Sequence, residues 1–396
     1  MSLSSSIKVC FVLALVAFSL SGCERDEPAE LLEATFRINV TENFINFRHN
    51  SVLIISDFSG NVLTIDHLNY KGMHELMVTQ TADDRFHLTI FDGYSVFKTF
   101  TFLPEGEYVI DMAEPHYYSD EGRHTVRANE PFIQPSGIGI LYGYLKAPGE
   151  AEVYLTAPTS DLYVYFENLP TQFGYYYLPE IRANESTTLQ EVAAPKAFNK
   201  LPVTLQSLQG TNIWLYGDND ADEAQMRYLL SRSGPLPPGP GMMNVPAEGE
   251  PSVKFYRTVF SGADGHMYTH TGENIERVQK RLITSVQRIE TNAASVFYSI
   301  TSDASVIEWS ASGINFHWTV FSQPGENIKI NLPKLPLSFR NGYDLNMMET
   351  LEFANARLTK DSRFSNYFDL VRRYHFQDEH PAVTPYFQIQ QAMSVQ

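Results

Sequence analysis

Apolar and polar positions alternate in short runs along most of this chain, and turn residues separate the runs. Residues 35–40, 51–56, 61–68, 86–91 and 95–103 are rich in β-branched and aromatic side chains. Between them, Asp57-Phe58-Ser59-Gly60-Asn61, Asp92-Gly93 and Pro104-Glu105-Gly106 carry turn chemistry. The pattern predicts a first domain over residues 35–126. A second set of runs at 138–145, 151–156, 161–167, 173–178, 187–192, 201–208 and 212–216 predicts a second domain over 132–233. Further runs at 253–260, 294–301, 305–310, 315–321 and 327–331 fall in a third region, 252–396. Short strands without intervening helices predict a mainly β chain. The expected architecture is tandem antiparallel β-sandwich domains of immunoglobulin- or transthyretin-like type, with one or two short helices in the C-terminal part.

Two stretches carry a helical period. Ile275, Val278, Leu282, Val286 and Ile289 recur at helical spacing behind Asn274, a residue suited to capping. The competing reading is a pair of strands at 276–282 and 284–289. Phe364, Phe368, Val371 and His375 predict a second helix near the C-terminus. Between the second and third regions, residues 234–251 open with Gly234-Pro235-Leu236-Pro237-Pro238-Gly239-Pro240-Gly241. Proline removes backbone donors and glycine loosens the chain, so this stretch reads as a linker or a long surface loop, with the linker preferred.

One internal echo stands out. Val153-Tyr154-Leu155-Thr156-Ala157 followed by Thr159-Ser160-Asp161-Leu162-Tyr163-Val164 aligns with Val296-Phe297-Tyr298-Ser299-Ile300 followed by Thr301-Ser302-Asp303-Ala304-Ser305-Val306. Both read as strand, turn, strand. Two copies of one sandwich and chance similarity among β-sequences both account for it.

The N-terminus changes the picture most. Lys8 precedes an apolar run over residues 9–20, which ends in Leu20-Ser21-Gly22-Cys23. The run is too short to span a bilayer, which takes about 20 apolar residues. It fits a secretory signal peptide over 1–22, followed by a tether over 23–34. The ending resembles the lipobox of bacterial lipoproteins, which implies cleavage before Cys23 and acylation of its sulfur and new amine. Two or more acyl chains, at about 0.8 kcal/mol per buried methylene, give stable anchoring. The following Glu24, Arg25, Asp26, Glu27 and Pro28 resemble the acidic export signal of Bacteroides-type surface lipoproteins. That resemblance implies an outer-membrane, surface-exposed location. A plain solvated tether is the other reading of the same residues.

Composition narrows the partners. The 396 residues are 43% hydrophobic and 13% aromatic, enough for real cores. Net charge is −17 with no basic cluster, which argues against nucleic acid and against binding to anionic lipid without an anchor. The two cysteines are Cys10, inside the expected signal peptide, and Cys23. The expected mature body therefore has no thiol chemistry and no disulfide.

Candidate chemistry is sparse. Asp218, Asp220 and Asp222 alternate so as to aim carboxylates at a hard cation such as Ca²⁺. Glu223 stands where an EF-hand has glycine, and Leu229 where it has its bidentate glutamate, so a solvated acidic loop is the ordinary reading. His375, Asp378, Glu379 and His380 approach a zinc-enzyme helix motif, but the spacing is one residue too long and Pro381 follows. No nucleophile elbow, Walker loop or dinucleotide glycine pattern occurs. Tyr175, Tyr176 and Tyr177, with Trp214, Trp309 and Trp318, could offer rings to a ligand, although aromatics in sandwiches mostly build core. No cofactor other than Ca²⁺ is indicated.

These features lead to a non-enzymatic cell-surface lipoprotein, an adhesin or a fimbrium-type subunit or anchor. The size and β-pattern resemble fimbrillin-type lipoproteins, and the stretch 52–63 resembles the opening of β-sandwich modules in surface lipoproteins. The resemblance implies subunits that complete each other's sheet edges. The expected partners are the outer membrane, through the anchor, and other surface proteins or glycans. The alternative is a glycan-binding lipoprotein of an outer-membrane polysaccharide uptake system. A glycan hydrolase with an unrecognised carboxylate pair is a third reading.

Overall fold

The computed structural model describes residues 32–48, 50–80, 85–111, 121–132, 135–138, 140–166, 174–207, 209–218, 228–247, 250–345, 348–376 and 386–395. Over these the chain is mainly β, with sheets packed face to face and four short helices. Cys23 and the whole expected signal peptide lie outside the described residues.

The first region contains β1 (Leu32–Val40), α1 (Glu42–Phe47), β2 (Val52–Ser56), β3 (Val62–His67), β4 (Gly72–Gln80), β5 (Arg85–Phe91), β6 (Val96–Pro104) and β7 (Gly106–Ile110). One sheet runs β4-β1-β7, with β1 and β7 parallel. The other strands pair in the order β3-β2-β5-β6. Phe36 and Ile38 of β1 share one core with Leu53, Ile55, Leu88 and Phe100, so the two layers form a sandwich.

The second region contains β8 (Gly122–Arg127), β9 (Ile140–Ala147), β10 (Glu150–Leu155), β11 (Thr159–Phe166), β12 (Gly174–Arg182), β13 (Ser186–Thr188), α2 (Leu189–Val192) and β14 (Lys196–Ala197). Its sheets run β13-β8-β10-β9 and β11-β12-β14. Val126, Val153 and Leu155 of one layer meet Leu162, Val164 and Tyr176 of the other in a core built wholly from this region.

The third region, which in the structure begins at residue 199 rather than 252 because β16 and β17 pair into the same sheet as β19, contains β15 (Asn199–Leu205), β16 (Thr211–Asp218), β17 (Tyr228–Leu236), β18 (Gly239–Val245), β19 (Phe255–Gly262), β20 (His266–Gly272), β21 (Thr284–Asn292), β22 (Ser295–Ser302), β23 (Val306–Ser312), β24 (His317–Ser322), β25 (Gly325–Asn331), α3 (Leu337–Gly342), β26 (Glu352–Asp361), α4 (Tyr367–His375) and β27 (Tyr386–Ser394). β21, β22 and β25 form one sheet, and β15 pairs with β18. The rest join a twelve-stranded sheet, β17-β16-β19-β20-β27-β26-β23-β24-β6-β5-β2-β3. Strands of the first and third regions thus share one hydrogen-bonded layer, which crosses the expected division into consecutive domains.

The seam is the parallel pair β6/β24, with Phe97 opposite Trp318 and Phe100 opposite Phe321. Phe97 stacks on Trp318 at 4.4 Å and on Phe91 at 4.3 Å, and Phe100 stacks on Phe321 at 5.0 Å. Such pairs contribute roughly 0.5–1.5 kcal/mol each beyond their buried area. The Trp318 indole N–H donates to Thr99 Oγ1 at 2.8 Å, so the seam carries no unmet indole donor. The helix expected near the C-terminus is present as α4. Asn366 caps it by accepting from the Asp369 amide. Tyr367 packs into the first region's core, donating its hydroxyl proton to the Phe321 carbonyl at 2.8 Å and accepting from the Thr101 amide at 3.1 Å.

Three expectations need correction. The 234–251 stretch is not a linker: residues 228–236 and 239–245 are strands. Glycines at positive φ (Gly234 at 118°, Gly239 at 98°) supply the turn conformations. Among the described residues β18 meets one ladder partner, β15, so Pro240 opposite Thr204 costs little in missing donors. The helical period at 275–289 is not a helix. Residues 277–279 run extended beside β15, with Thr204 N donating to Arg277 O and Gln279 N to Thr204 O, and β21 then pairs with β22. Of the five periodic residues only Leu282 is buried, whereas Val278 and Val286 are 41% and 47% exposed, so no helix face had a core to bury. Residues 187–192 turn from β13 into the helical turn α2.

Candidate functional site

The tyrosine run lies on β12, and neighbouring residues of a strand point to opposite faces. Tyr175 stacks on Tyr163 at 5.2 Å, and its hydroxyl accepts from the Ala247 amide at 3.0 Å. Tyr176 points the other way, against Phe166 in the second region's core. Tyr177 is half-buried and donates to Asp161 Oδ2 at 3.3 Å. The expected exposed platform is therefore corrected. Both faces of β12 are covered, because the strand sits between two hydrophobic clusters. Trp309 and Trp318 are fully buried, and Arg232 lies over the half-buried Trp214 ring at 5.7 Å.

Asp218 ends β16 and is buried, while Asp220 and Asp222 lie outside the described residues. Among the described residues no group of three or more His, Cys, Asp or Glu is placed to hold a metal. His375 closes α4 with its ring at 5.0 Å from Phe100 and 4.4 Å from Phe321. Burial among these rings, with Lys98 adding to it, pushes its pKa down to about 3, so the imidazole is neutral at pH 7. Asp378, Glu379 and His380 lie outside the described residues.

The structure brings together one polar cluster that sequence reasoning missed. Asp161, on β11, accepts from the Ile138 amide at 2.6 Å, from Tyr177 and from the Tyr228 hydroxyl. Burial raises its pKa and the three donors partly offset that rise. Burial and the adjacent carboxylate push the Tyr228 phenol far above its ordinary value. The phenol therefore keeps its proton and donates it to the carboxylate. These bonds tie β11, β12, β17 and residues 135–138 together, and both carboxylate oxygens are committed inside the protein. The donors come from positions up to 67 residues away, which no local motif could reveal.

Two surface features remain open to ligands. A cleft of about 460 Å³ lies between the β22–β23 turn and the segment leading into α4. Its wall is mostly polar, with Ser302, Asp303, Gln323, Lys360, Ser365 and Asn366 among the lining groups. Lys360 donates to Asp303 at 2.7 Å, so the cation and the acid largely neutralise each other. The volume falls in the range of small-ligand sites, roughly 300–1,000 Å³.

The other feature is β9. It is the last strand of the sheet β13-β8-β10-β9, and no described strand pairs with its far side. Its residues are exposed on both faces: Leu141, Tyr142, Tyr144 and Leu145 are 37%, 47%, 45% and 48% exposed, and Gly143 alone is buried. Behind the edge, Tyr142 stacks on Tyr154 at 4.3 Å, and the Arg123 guanidinium lies 4.7 Å over the Tyr154 ring. This aromatic row stiffens the edge without covering it. Exposed, flat, apolar edges are templates for further strand pairing.

No helix among the described residues is long and apolar enough to cross a membrane. No known protein-family model matches the chain, and no curated protein matches it.

Proposed function

We propose that this protein is a non-enzymatic, lipid-anchored protein of the outer cell surface, acting as an adhesin or as a subunit or anchor of a fimbrium-type assembly. The observation that carries the reading is the open edge of β9, which presents apolar groups on both faces. Main-chain pairing at such an edge gives affinity, and the alternating side chains give selectivity. The lipobox-like ending at Cys23 supplies the anchor.

The test uses the full chain and its Cys23→Ser variant in cells fed a labelled fatty acid. The parent incorporates label, sediments with the outer membrane, is cut by protease added to intact cells and is crosslinked into larger assemblies. The variant loses the label and leaves the membrane pellet. Label that persists in the variant, or a parent shielded from protease in intact cells, overturns the reading.

A glycan-binding lipoprotein serving polysaccharide uptake is the second reading. The polar cleft beside Lys360 and Asn366 supports it, since hydroxyl-rich ligands pair with such walls. Retardation of the protein in gels containing one polysaccharide, abolished by Asn366→Ala together with Lys360→Ala, would favour it over assembly.

A further inference from the structure

Residues 141–145 read Leu-Tyr-Gly-Tyr-Leu, a palindrome centred on Gly143, and they form the middle of the open strand β9. We infer that β9 pairs antiparallel with β9 of a second copy of this chain, about a twofold axis at Gly143. This rests on the surface-assembly reading and names the partner at its edge.

The geometry follows from strand periodicity. Around a twofold axis through residue 143, each residue faces the one equally far on the other side. Leu141 then lies opposite Leu145 of the second copy, and Tyr142 opposite Tyr144. Facing residues in an antiparallel pair share one face of the sheet. One face of the joint therefore carries four leucines and the other four tyrosines. A register offset by one residue would set tyrosines opposite leucines on each face and lose this match.

Gly143 suits the centre. It is buried, and a Cβ there would lie 3.1 Å from Val153 Cγ1 and 3.3 Å from the Pro135 carbonyl. The absent side chain lets Val153 and the Pro135 carbonyl close over the centre of the strand, and the ladder with β10 is regular from Tyr142 to Leu145, shifting register at Leu141 and at Lys146.

Charge also permits the pairing. The chain carries −17 overall, yet β9 contains no acid and one cation, Lys146, whose ammonium donates to Glu152 at 2.8 Å. In the twofold arrangement the two Lys146 residues fall at opposite ends of the joint, about 20 Å apart at about 3.4 Å per residue. That exceeds the Debye length of about 8 Å at physiological salt. The joint thus opposes no like charges in a molecule whose surface otherwise repels its own copies. Four strands from each copy would merge into an eight-stranded layer, which removes the exposed edge from both. Anchoring on one membrane would raise the effective concentration for this pairing.

The test is register-specific. Full-length chains bearing Leu141→Cys and Leu145→Cys are co-expressed and oxidised, with the parent chain as the baseline. Facing Cα atoms in an antiparallel pair lie about 4.5–5.5 Å apart, within disulfide reach. Two copies of position 141 lie about 13 Å apart along the strands, out of reach. The expected result is a crosslinked dimer several-fold stronger in the mixture than in either variant alone. Equal crosslinking in the single-variant samples, or none in the mixture, overturns the proposal. A chain that stays labelled and surface-exposed and enters assemblies with other proteins, but fails the cysteine test, keeps the assembly reading and loses only self-pairing. A chain without fatty-acid label loses the surface reading whatever its cysteines do.

Discussion

Strands β6 and β9 are both rich in aromatic groups at alternate positions and carry one lysine each, yet they end in opposite situations. β6 is buried along most of its length because β24 pairs with its far side and α4 packs over Phe100. β9 is exposed along most of its length because no described strand follows it. The neighbour that covers β6 comes from more than 200 residues away, and the sandwich containing β9 draws its core from its own region. Among the described residues, the far side of β6 is closed by a distant part of the chain and the far side of β9 is unpaired. Apolar content along the strand does not decide between the two.

The largest expected effect comes from cutting the closed edge. Trp318→Ala removes a fully buried indole that stacks on Phe97 and donates to Thr99, and should cost about 3–5 kcal/mol. Urea unfolding followed by ring fluorescence and by far-UV dichroism measures it. If the first and third regions unfold as one unit, both probes shift together. Separate transitions would show that the seam is all that couples them.

Acid should act on the same side of the comparison. His87 of β5 is fully buried between Phe58 and Phe102, and burial depresses its pKa to about 4, against a weaker opposing pull from Asp57. Its folded pKa lies below its unfolded value near 6.5, so the unfolded chain binds the proton first. The neutral ring's contribution is fully present above about pH 6.5 and is lost as pH falls from there toward about 4, to a total of about 3 kcal/mol. The urea midpoint should fall across that window in the parent and fall less in His87→Leu. Equal slopes in the two proteins would contradict the assignment.

Asp161→Ala tests the open-edged region. It leaves the Ile138 amide and the Tyr228 and Tyr177 hydroxyls without their acceptor and should cost about 1–3 kcal/mol. Hydrogen exchange should quicken in β11 and in residues 135–138 before it does at the β6/β24 seam. Uniform acceleration across the molecule would mean that the two regions are less independent than their cores suggest.

The smallest effect on stability is expected at the open edge itself. Tyr144→Lys replaces an exposed ring and should alter unfolding by no more than about 0.5 kcal/mol. The same substitution puts a cation opposite Tyr142 of a second copy and adds charge to the joint. Sedimentation of the full chain should shift toward monomer while the melting temperature holds. A change in melting temperature without a change in mass would place Tyr144 inside the fold's own packing.

Much of the β-structure was legible because strands such as 51–56, 86–91 and 95–103 alternate strongly between turn residues. Strands β4, β7, β8, β17, β18, β20, β26 and β27 were not read, since stretches such as Gly72–Gln80 and Gly122–Arg127 mix charge and glycine, and their pairing comes from neighbours. The helical period at 275–289 misled because periodicity records where apolar groups fall, not whether a core stands opposite them. The echo between 153–164 and 296–306 does have a counterpart in space. β10 and β11 lie in different sheets, as do β22 and β23, so each segment crosses from one layer to the other. Of the residues singled out beforehand, Tyr175 and Tyr176 proved to be core, and Cys23, Asp220 and Asp222 lie outside the described residues. The Leu-Tyr-Gly-Tyr-Leu palindrome was visible in the sequence but carried no meaning until β9 was known to be an edge.

The sequence alone determined the local matters: the β-rich character, the turns, the helix that ends at His375 and the acidic composition. These depend on side-chain alternation, backbone restriction and charge, all of which act over a few residues. The tertiary structure decided which strands share a sheet, which tyrosines are buried and which strands end a sheet without a further described partner. Those outcomes depend on contacts between residues up to 273 positions apart, and pairing energies over such distances leave no period in the chain.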